Sequence, residues 1–202
     1  MNPLEELHDR WQASVRNQDA SAVASLLSID GSLAHVPVVF TRRNATTYRV
    51  SPIVVSRKSL EIIKMLAEAG ADVNTRDAEG GTTPLSGCSY EVGTYLIEQG
   101  ADIDAFGYEE LTPLAYATYD RNLALVEHLL AKGAKVNRAH PTERITPLHW
   151  AVRRCGMRMI RALLEAGADP LLQDAKGETP LDWAKQADRD EEVIQALTPD
   201  SQ

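Results

Sequence analysis

The histidines and cysteines are the residues of this chain that could catalyse a reaction or hold a metal ion. The five histidines are His8, His35, His128, His140 and His149, and they lack the spacing of a metal site. Cys88 and Cys155 fall where small buried residues are expected, which does not favour a nucleophile. The sequence has no Gly-rich phosphate loop, Cys-x-x-Cys pair or His-Glu-x-x-His motif. We therefore expect no catalytic residue, no metal ion and no cofactor.

Tyrosines and acids are concentrated between Asp77 and Asp120, where they could bind a partner. This stretch holds nine acids and no lysine or arginine. Tyrosine offers a large apolar area at low entropic cost and is enriched at binding hot spots. Tyr95 and Tyr116 are expected in structural roles instead, and the acids at 109–110 could equally form a solvated turn. The candidate contacts in this stretch are Tyr90, Phe106, Tyr108, Glu109, Glu110, Tyr119 and Asp120.

Arginines form a second group of candidate contacts. Arg153 and Arg154 could meet acids on a partner, or they could pair internally with Asp120. Arg42 and Arg43 are expected at the tip of a hairpin, where they could contact phosphate. The net charge of −8 argues against nucleic acid as the main partner.

Charge is distributed in bands along the chain. From Gly31 to Leu60 there are five basic residues and no acid, and from Arg121 to Glu165 there are nine basic residues and three acids. From Ala166 onward, nine acids face three basic residues. A banded surface orients a partner more than it adds affinity.

A repeated phrase identifies the elements that must position these residues. Thr-Pro-Leu begins at Thr83, Thr112, Thr146 and Thr179. The starts are 29, 34 and 33 residues apart, and the first three units close with Gly-Ala. Threonine is a good N-cap, proline suits the first helical position, and glycine ends a helix. The period predicts a solenoid of helix pairs, each of which buries its apolar face against its neighbours.

The unit resembles the ankyrin repeat, which is about 33 residues long and starts with Thr-Pro-Leu-His. The segment from Thr146 to Pro170 matches best, and its His149 is at the position where family histidines hydrogen-bond within the repeat framework. The segment from Arg49 to Asn74 keeps the second helix, with Pro52 at the histidine position. The resemblance implies an all-α solenoid of about six helix pairs, with short hairpin fingers. It also implies protein binding through a concave face and the fingers.

Two irregularities stand out from this repetition. The unit at Thr83 reaches its closing Gly100 in 18 residues, whereas the unit at Thr112 takes 22 residues to reach Gly133. The shorter unit therefore lacks four residues between its helices, and Gly87 also weakens its first helix. Strand-like residues at 36–41 and 46–50 predict an extended β-hairpin. We expect one domain with an N-terminal cap at 4–28, the extended finger at 29–48, repeats at 49–82, 83–111, 112–145 and 146–178, and a C-terminal cap at 179–198.

Composition narrows the class of protein. The chain has 202 residues, is 44% hydrophobic and contains no apolar run near the roughly 18 residues that span a bilayer. Its N-terminus does not read as a secretory signal, and two cysteines suit a reducing, cytoplasmic compartment. We expect a monomeric, non-catalytic adaptor or regulator that binds a protein, without membrane or nucleic-acid contact. The alternative is a dedicated inhibitor or immunity protein that neutralises a basic toxin or nuclease, which would give the partner a basic surface.

Overall fold

Nearly all regular structure in this protein is α-helical. A computed structural model describes residues 3–41, 47–77 and 81–198. Within those residues the helices are α1 (Pro3–Arg16), α2 (Ala20–Ile29), α3 (Pro52–Val55), α4 (Leu60–Glu68), α5 (Tyr90–Glu98), α6 (Pro113–Tyr119), α7 (Leu123–Ala131), α8 (Pro147–Arg154), α9 (Met157–Glu165), α10 (Pro180–Gln186) and α11 (Glu191–Leu197). The expected all-α architecture is confirmed.

The Thr-Pro-Leu phrase starts three of these helices. Thr112, Thr146 and Thr179 are the N-caps of α6, α8 and α10, and each side chain accepts a hydrogen bond from an N–H of the first helical turn. The proline that follows each threonine is the first helical residue, where its missing N–H costs nothing.

The start of the earlier unit at residue 51 corrects the register expected from the sequence. Ser51 is the N-cap of α3 and Pro52 is its first helical residue. Ser51-Pro52-Ile53 therefore takes the place of Thr-Pro-Leu, and assigning Pro52 to the histidine position was wrong. The reason is that proline lacks an N–H and is best tolerated where the helix leaves that donor unpaired.

The unit at Thr83 has lost its first helix. Residues 84–87 form only a turn, which leads into α5 after Ser89. Gly87 has a φ of +73°, which L residues rarely adopt and which ends the helical path. The weakening expected from Gly87 and the missing residues thus amounts to complete replacement of the helix by a turn.

The extended hairpin is present. Strand β1 (Val38–Thr41) pairs antiparallel with β2 (Thr47–Val50), with Val38 opposite Val50. Just before β1, Trp11 of α1 donates its indole N–H to the carbonyl of Val36 at 3.2 Å. A 3-10 helix (Gly31–His35) fills the segment before the hairpin. The residues at the tip, Arg42 and Arg43 included, lie outside the described part of the chain.

The chain divides into two compact units. Unit 1 contains residues 1–102 and 107–109, and unit 2 contains residues 103–106 and 110–202. In unit 2, the first helices pack in the order α6, α8, α10, and each also packs on the second helix that follows it, namely α7, α9 or α11. The core of unit 2 includes Leu114, Leu129, Leu148, Ile160 and Val193, which are all buried. In unit 1, α1 packs on α2, α3 and β1, and α4 packs on α2, α3 and α5.

The reversals between helix pairs are tied together by side-chain amides. In unit 1, Asn74 donates to the carbonyl of Gly100 at 3.1 Å and accepts from the N–H of Asp102 at 2.7 Å. In unit 2, Asn137 donates to the carbonyl of Gly167 at 3.0 Å and accepts from the N–H of Asp169 at 2.9 Å. Each amide therefore satisfies one donor and one acceptor of the next reversal.

Among the described residues, no helix combines the length and the apolar character needed to cross a lipid bilayer.

Candidate functional site

A row of aromatic rings runs across the first helices of unit 2. Tyr116, Trp150 and Trp183 occupy the same place in three successive repeats, four residues after the capping threonine. Tyr119 lies between the first two, with its ring centroid 6.4 Å from Tyr116 and 5.1 Å from Trp150. Trp150 and Trp183 meet edge to face at 6.1 Å. We call Tyr116, Tyr119, Trp150 and Trp183 the aromatic row; its edge-to-face contacts are a favourable geometry for aromatic pairs.

Two arginines lie over the aromatic row. The guanidinium carbon of Arg154 is 4.0 Å from the ring centroid of Tyr119, and its Nε donates to the carbonyl of Tyr119 at 3.1 Å. The guanidinium carbon of Arg153 lies 5.5 Å from the ring centroid of Trp183, and the side chain is exposed. Arg154 therefore has an internal partner in Tyr119, where Asp120 was considered, while Arg153 presents its charge to solvent.

A cavity opens beside the last ring of the row. Its volume is about 320 Å³. It is lined by Arg153, Lys176, Glu178, Trp183, Gln186 and Ala187. The indole N–H of Trp183 donates to the buried carboxylate of Asp174 at 3.1 Å, which fixes the orientation of the ring. The cavity thus combines the apolar ring of Trp183 with several charged side chains, a combination that is common in binding sites.

The reversal at residues 106–110 is less open than the sequence suggested. Phe106 is half-buried, with the guanidinium carbon of Arg138 at 4.4 Å from its ring centroid. Glu109 and Glu110 are exposed and have φ angles of +52° and +55°, in the left-handed region that disfavours most L residues. The carboxylate of Glu110 lies 3.8 Å from Nε2 of His140. The side chain of Tyr108 lies outside the described part of the structure.

The remaining sequence candidates are separate features. Tyr90, the first residue of α5 in unit 1, is 40% exposed. Asp120 is the exposed C-cap residue of α6 in unit 2. Among the candidates whose side chains the structure describes, Tyr119, Arg153 and Arg154 are the ones that belong to the aromatic row or lie over it. Trp150 and Trp183 were not among the site residues expected from the sequence. The sequence signal for them was that Tyr116, Trp150 and Trp183 each follow the capping threonine by four residues.

The groups suited to catalysis have structural environments. His149 is fully buried; its Nδ1 lies 2.8 Å from the Thr146 hydroxyl and its Nε2 is 3.1 Å from the carbonyl of Glu178. Burial lowers the pKa of His149, so the ring is neutral, with Nε2 as the donor and Nδ1 as the acceptor. Its structural role, implied by the resemblance, is confirmed by this geometry.

Both cysteines are free and buried. Burial raises the pKa of the Cys88 thiol to about 12 and also raises the pKa of Cys155. The thiols donate to the carbonyls of Leu85 and Thr118 at 3.3 Å and 3.2 Å. A thiol held in its protonated form is a poor nucleophile. Across the described ranges, no group of three or more His, Cys, Asp or Glu residues could hold a metal ion.

Comparison with known proteins places this geometry in a family. A family model of ankyrin repeats, in three copies, matches residues 51–140, and a model of a single ankyrin repeat matches residues 143–175. The chain is 36% identical over 88 residues to palmitoyltransferase ZDHHC17 of Homo sapiens, which covers 44% of this chain and 14% of that protein. It is 38% identical over 82 residues to palmitoyltransferase ZDHHC13 of Homo sapiens, which covers 41% of this chain and 13% of that protein. The matches therefore concern a small part of each relative, and they do not extend the transferase activity to this chain.

Proposed function

This chain belongs to the ankyrin-repeat family, whose repeats form protein-binding modules, and on that premise we propose that it is a non-catalytic adaptor or regulator. It binds its protein partner through the face of α6, α8 and α10. We further propose that it works as a monomer in the cytoplasm, since two buried free thiols suit a reducing compartment.

The aromatic row is the observation that supports this proposal. Tyr116, Tyr119 and Trp150 are only half-buried, and the exposed Arg153 lies over Trp183 at the end of the row. Trp, Tyr and Arg are the residue types most enriched at binding hot spots, because they bring a large contact area and directed hydrogen bonds. The rings also support one another, so little conformational entropy is lost when a partner covers them.

The reversal at 106–110 is proposed as a second contact. Glu109 and Glu110 extend into solvent from a backbone that is costly to form, and such backbone strain is concentrated at functional sites. Phe106, Tyr108, Tyr90 and Asp120 stay in this proposal as further contacts. Arg42 and Arg43 also stay in this proposal as contacts, and only their positive charge supports this assignment.

A dedicated inhibitor is the second candidate function. The acids of the band from Asp77 to Asp120 support it, since that stretch contains no lysine or arginine and most of the carboxylates that the structure describes there are exposed. Exposed acids without nearby basic residues in sequence suit a partner with a basic active site, such as a toxin or nuclease. This candidate predicts one tight, salt-sensitive partner encoded by the adjacent reading frame, whereas an adaptor does not need that neighbour.

Co-purification from the native cell tests the proposed binding face. We expect Tyr119→Ala combined with Arg153→Ala to weaken partner binding by about 30-fold, because truncation of a hot-spot residue costs about 2 kcal/mol or more. The matched control is Glu127→Ala with Lys132→Ala, which removes two exposed side chains at α7. Wild-type retention of the partner by the folded Tyr119→Ala, Arg153→Ala variant would overturn the proposal.

A further inference from the structure

Three arginines surround a second cavity in unit 2, at the turns that join first and second helices. Its volume is about 380 Å³. It is lined by Arg121, Arg154, Arg158, Leu123, Met157 and Met159, with Cys155 and Gly156. We call it the arginine cavity. Among the described residues, none of these three arginines forms an ion pair with a carboxylate. The cavity therefore concentrates positive charge that no ion pair within the described residues neutralises.

One arginine of the cavity, the half-buried Arg154, is held in place before any ligand arrives, whereas Arg121 and Arg158 are exposed. Arg154 is fixed by its stacking on Tyr119 and uses only Nε in a hydrogen bond within the described residues, which leaves its Nη groups as donors. Arg189, from the turn after α10, donates to the carbonyls of Val152 at 2.9 Å and Cys155 at 2.7 Å. Both of these partners are neutral carbonyl groups.

Cys155 lines the cavity together with Arg121 and Arg154. Burial raises the pKa of the Cys155 thiol, and the positive charges of Arg121, Arg154 and Arg189 act in the opposite direction. Arg121, Arg154 and Arg189 come from successive repeats. An anion beside Cys155 would interact with more than one of these cations at once, and guanidinium groups suit phosphate and carboxylate geometry.

The start of α9 adds backbone donors to the same wall. Its N-cap is Gly156, which forms no side-chain cap hydrogen bond, whereas Ser59 and Asn122 cap α4 and α7. The first N–H groups of a helix have no intrahelical acceptor and carry a partial positive charge. Met157 and Arg158, the first residues of α9, also line the cavity.

We propose that the arginine cavity binds an oxyanion, a phosphate monoester or a carboxylate, carried by a side chain of the protein partner. The positive wall supplies the attraction, and Leu123 and Met157 offer apolar contact to the rest of that side chain. The volume exceeds what one bare anion fills, which leaves room for the group that carries it. The assignment to a partner rests on the proposed function.

A titration of the full chain with small probes tests the cavity without the partner. Phenyl phosphate and benzoate carry the two anions on the same ring, and amide NMR shifts are followed at constant ionic strength. We expect saturable shifts at Gly156, Met157 and Arg158. Tighter binding of phenyl phosphate would indicate a phosphorylated residue on the partner, and equal or tighter binding of benzoate would indicate an acidic one.

Matched variants make the result specific to this cavity. Arg121→Gln with Arg158→Gln should weaken probe binding by about tenfold or more, because two charge-assisted hydrogen bonds are lost. Arg161→Gln is the control, since Arg161 lies on the same helix but pairs with Glu192. Shifts that do not saturate for either probe, or that persist unchanged in the double variant, would overturn the cavity proposal. Neither result affects the test of the aromatic row, so the two failures are distinguishable.

Discussion

At the residue scale, the side chain most suited to acid–base chemistry is used to build a helix start. His149 is fully buried between the Thr146 hydroxyl and the carbonyl of Glu178, and both ring nitrogens are occupied. A histidine in this position cannot exchange protons with a substrate, because neither nitrogen reaches solvent. Its contribution is to stability, and that contribution depends on its being neutral.

Stability should therefore fall at mildly acidic pH. Burial lowers the pKa of His149 below the usual 6.5, so the unfolded chain takes up this proton at a higher pH than the folded chain. The contribution of neutral His149 to the free energy of unfolding is then fully present above about pH 6.5, and it decreases as the pH falls below that value. Urea unfolding at pH 8 and pH 5.5 measures the difference.

The control variant for this prediction is His149→Gln. Glutamine can keep the capping arrangement with Thr146 but does not titrate. The variant should lose much of the decrease between pH 8 and pH 5.5. A variant whose unfolding free energy falls as steeply as that of the wild type would show that another group is responsible.

The contacts within the aromatic row and the arginine cavity could not be predicted from the sequence. Thr146, Pro147 and Gly167 could be assigned from the sequence because capping and helix ends are local effects. The stacking of Arg154 on Tyr119 joins residues of different repeats, and its geometry depends on how those repeats pack. The place shared by Tyr116, Trp150 and Trp183 pointed to the row but not to its contacts.

At the element scale, the reversals show how one repeat fixes the next. Asn74 and Asn137 each bridge to the following reversal with both the amide oxygen and the amide nitrogen. Within unit 2, Asp104 accepts from the N–H of Lys135 at 2.9 Å and lies 3.8 Å from its ammonium group. A carboxylate accepts but does not donate a hydrogen bond, so Asp104 can form only the accepting half of the link that an asparagine forms.

Asn137→Asp should destabilise the protein. The variant loses the donor to Gly167 and places a negative charge beside Asp169, so we expect a loss of about 1 kcal/mol in the free energy of unfolding. Chemical unfolding monitored by circular dichroism measures the loss.

The matched control for this link is Asp104→Asn. It adds a donor and removes the ion pair with the exposed Lys135, a kind of pair that contributes little. It should leave the stability unchanged or slightly raised. Equal stability of Asn137→Asp and the wild type would mean that the amide link contributes nothing.

The irregular elements were partly predictable for the same local reasons. The hairpin follows from the strand-like residues on either side of 42–45, and the turn that replaces a helix at residues 84–87 follows from Gly87 and a shortened unit. The helix start at Ser51-Pro52 was not predicted correctly. Only the proline of Thr-Pro-Leu is present there, and Ser51 takes the place of threonine as the N-cap of α3.

At the scale of the whole molecule, each repeat adds both stability and binding surface. In a repeat protein the helix pairs bury their apolar faces against neighbouring pairs, which leaves the first-helix face and the reversals for partners. Unit 2 carries the aromatic row and the arginine cavity, and unit 1 carries the extended hairpin. The family and the helical architecture could be predicted from the Thr-Pro-Leu period, whereas the partner's chemistry depends on side chains that differ between repeats.

Hydrogen exchange of the protein with and without its co-purified partner shows whether the partner covers the face of α6, α8 and α10. Amide exchange reports local opening of each helix separately, and a bound partner slows it where it makes contact. We expect slower exchange in α6 (Pro113–Tyr119), α8 (Pro147–Arg154) and α10 (Pro180–Gln186). Slowing confined to α7, α9 and α11, with the first helices unchanged, would contradict the assignment of the aromatic row as the binding face.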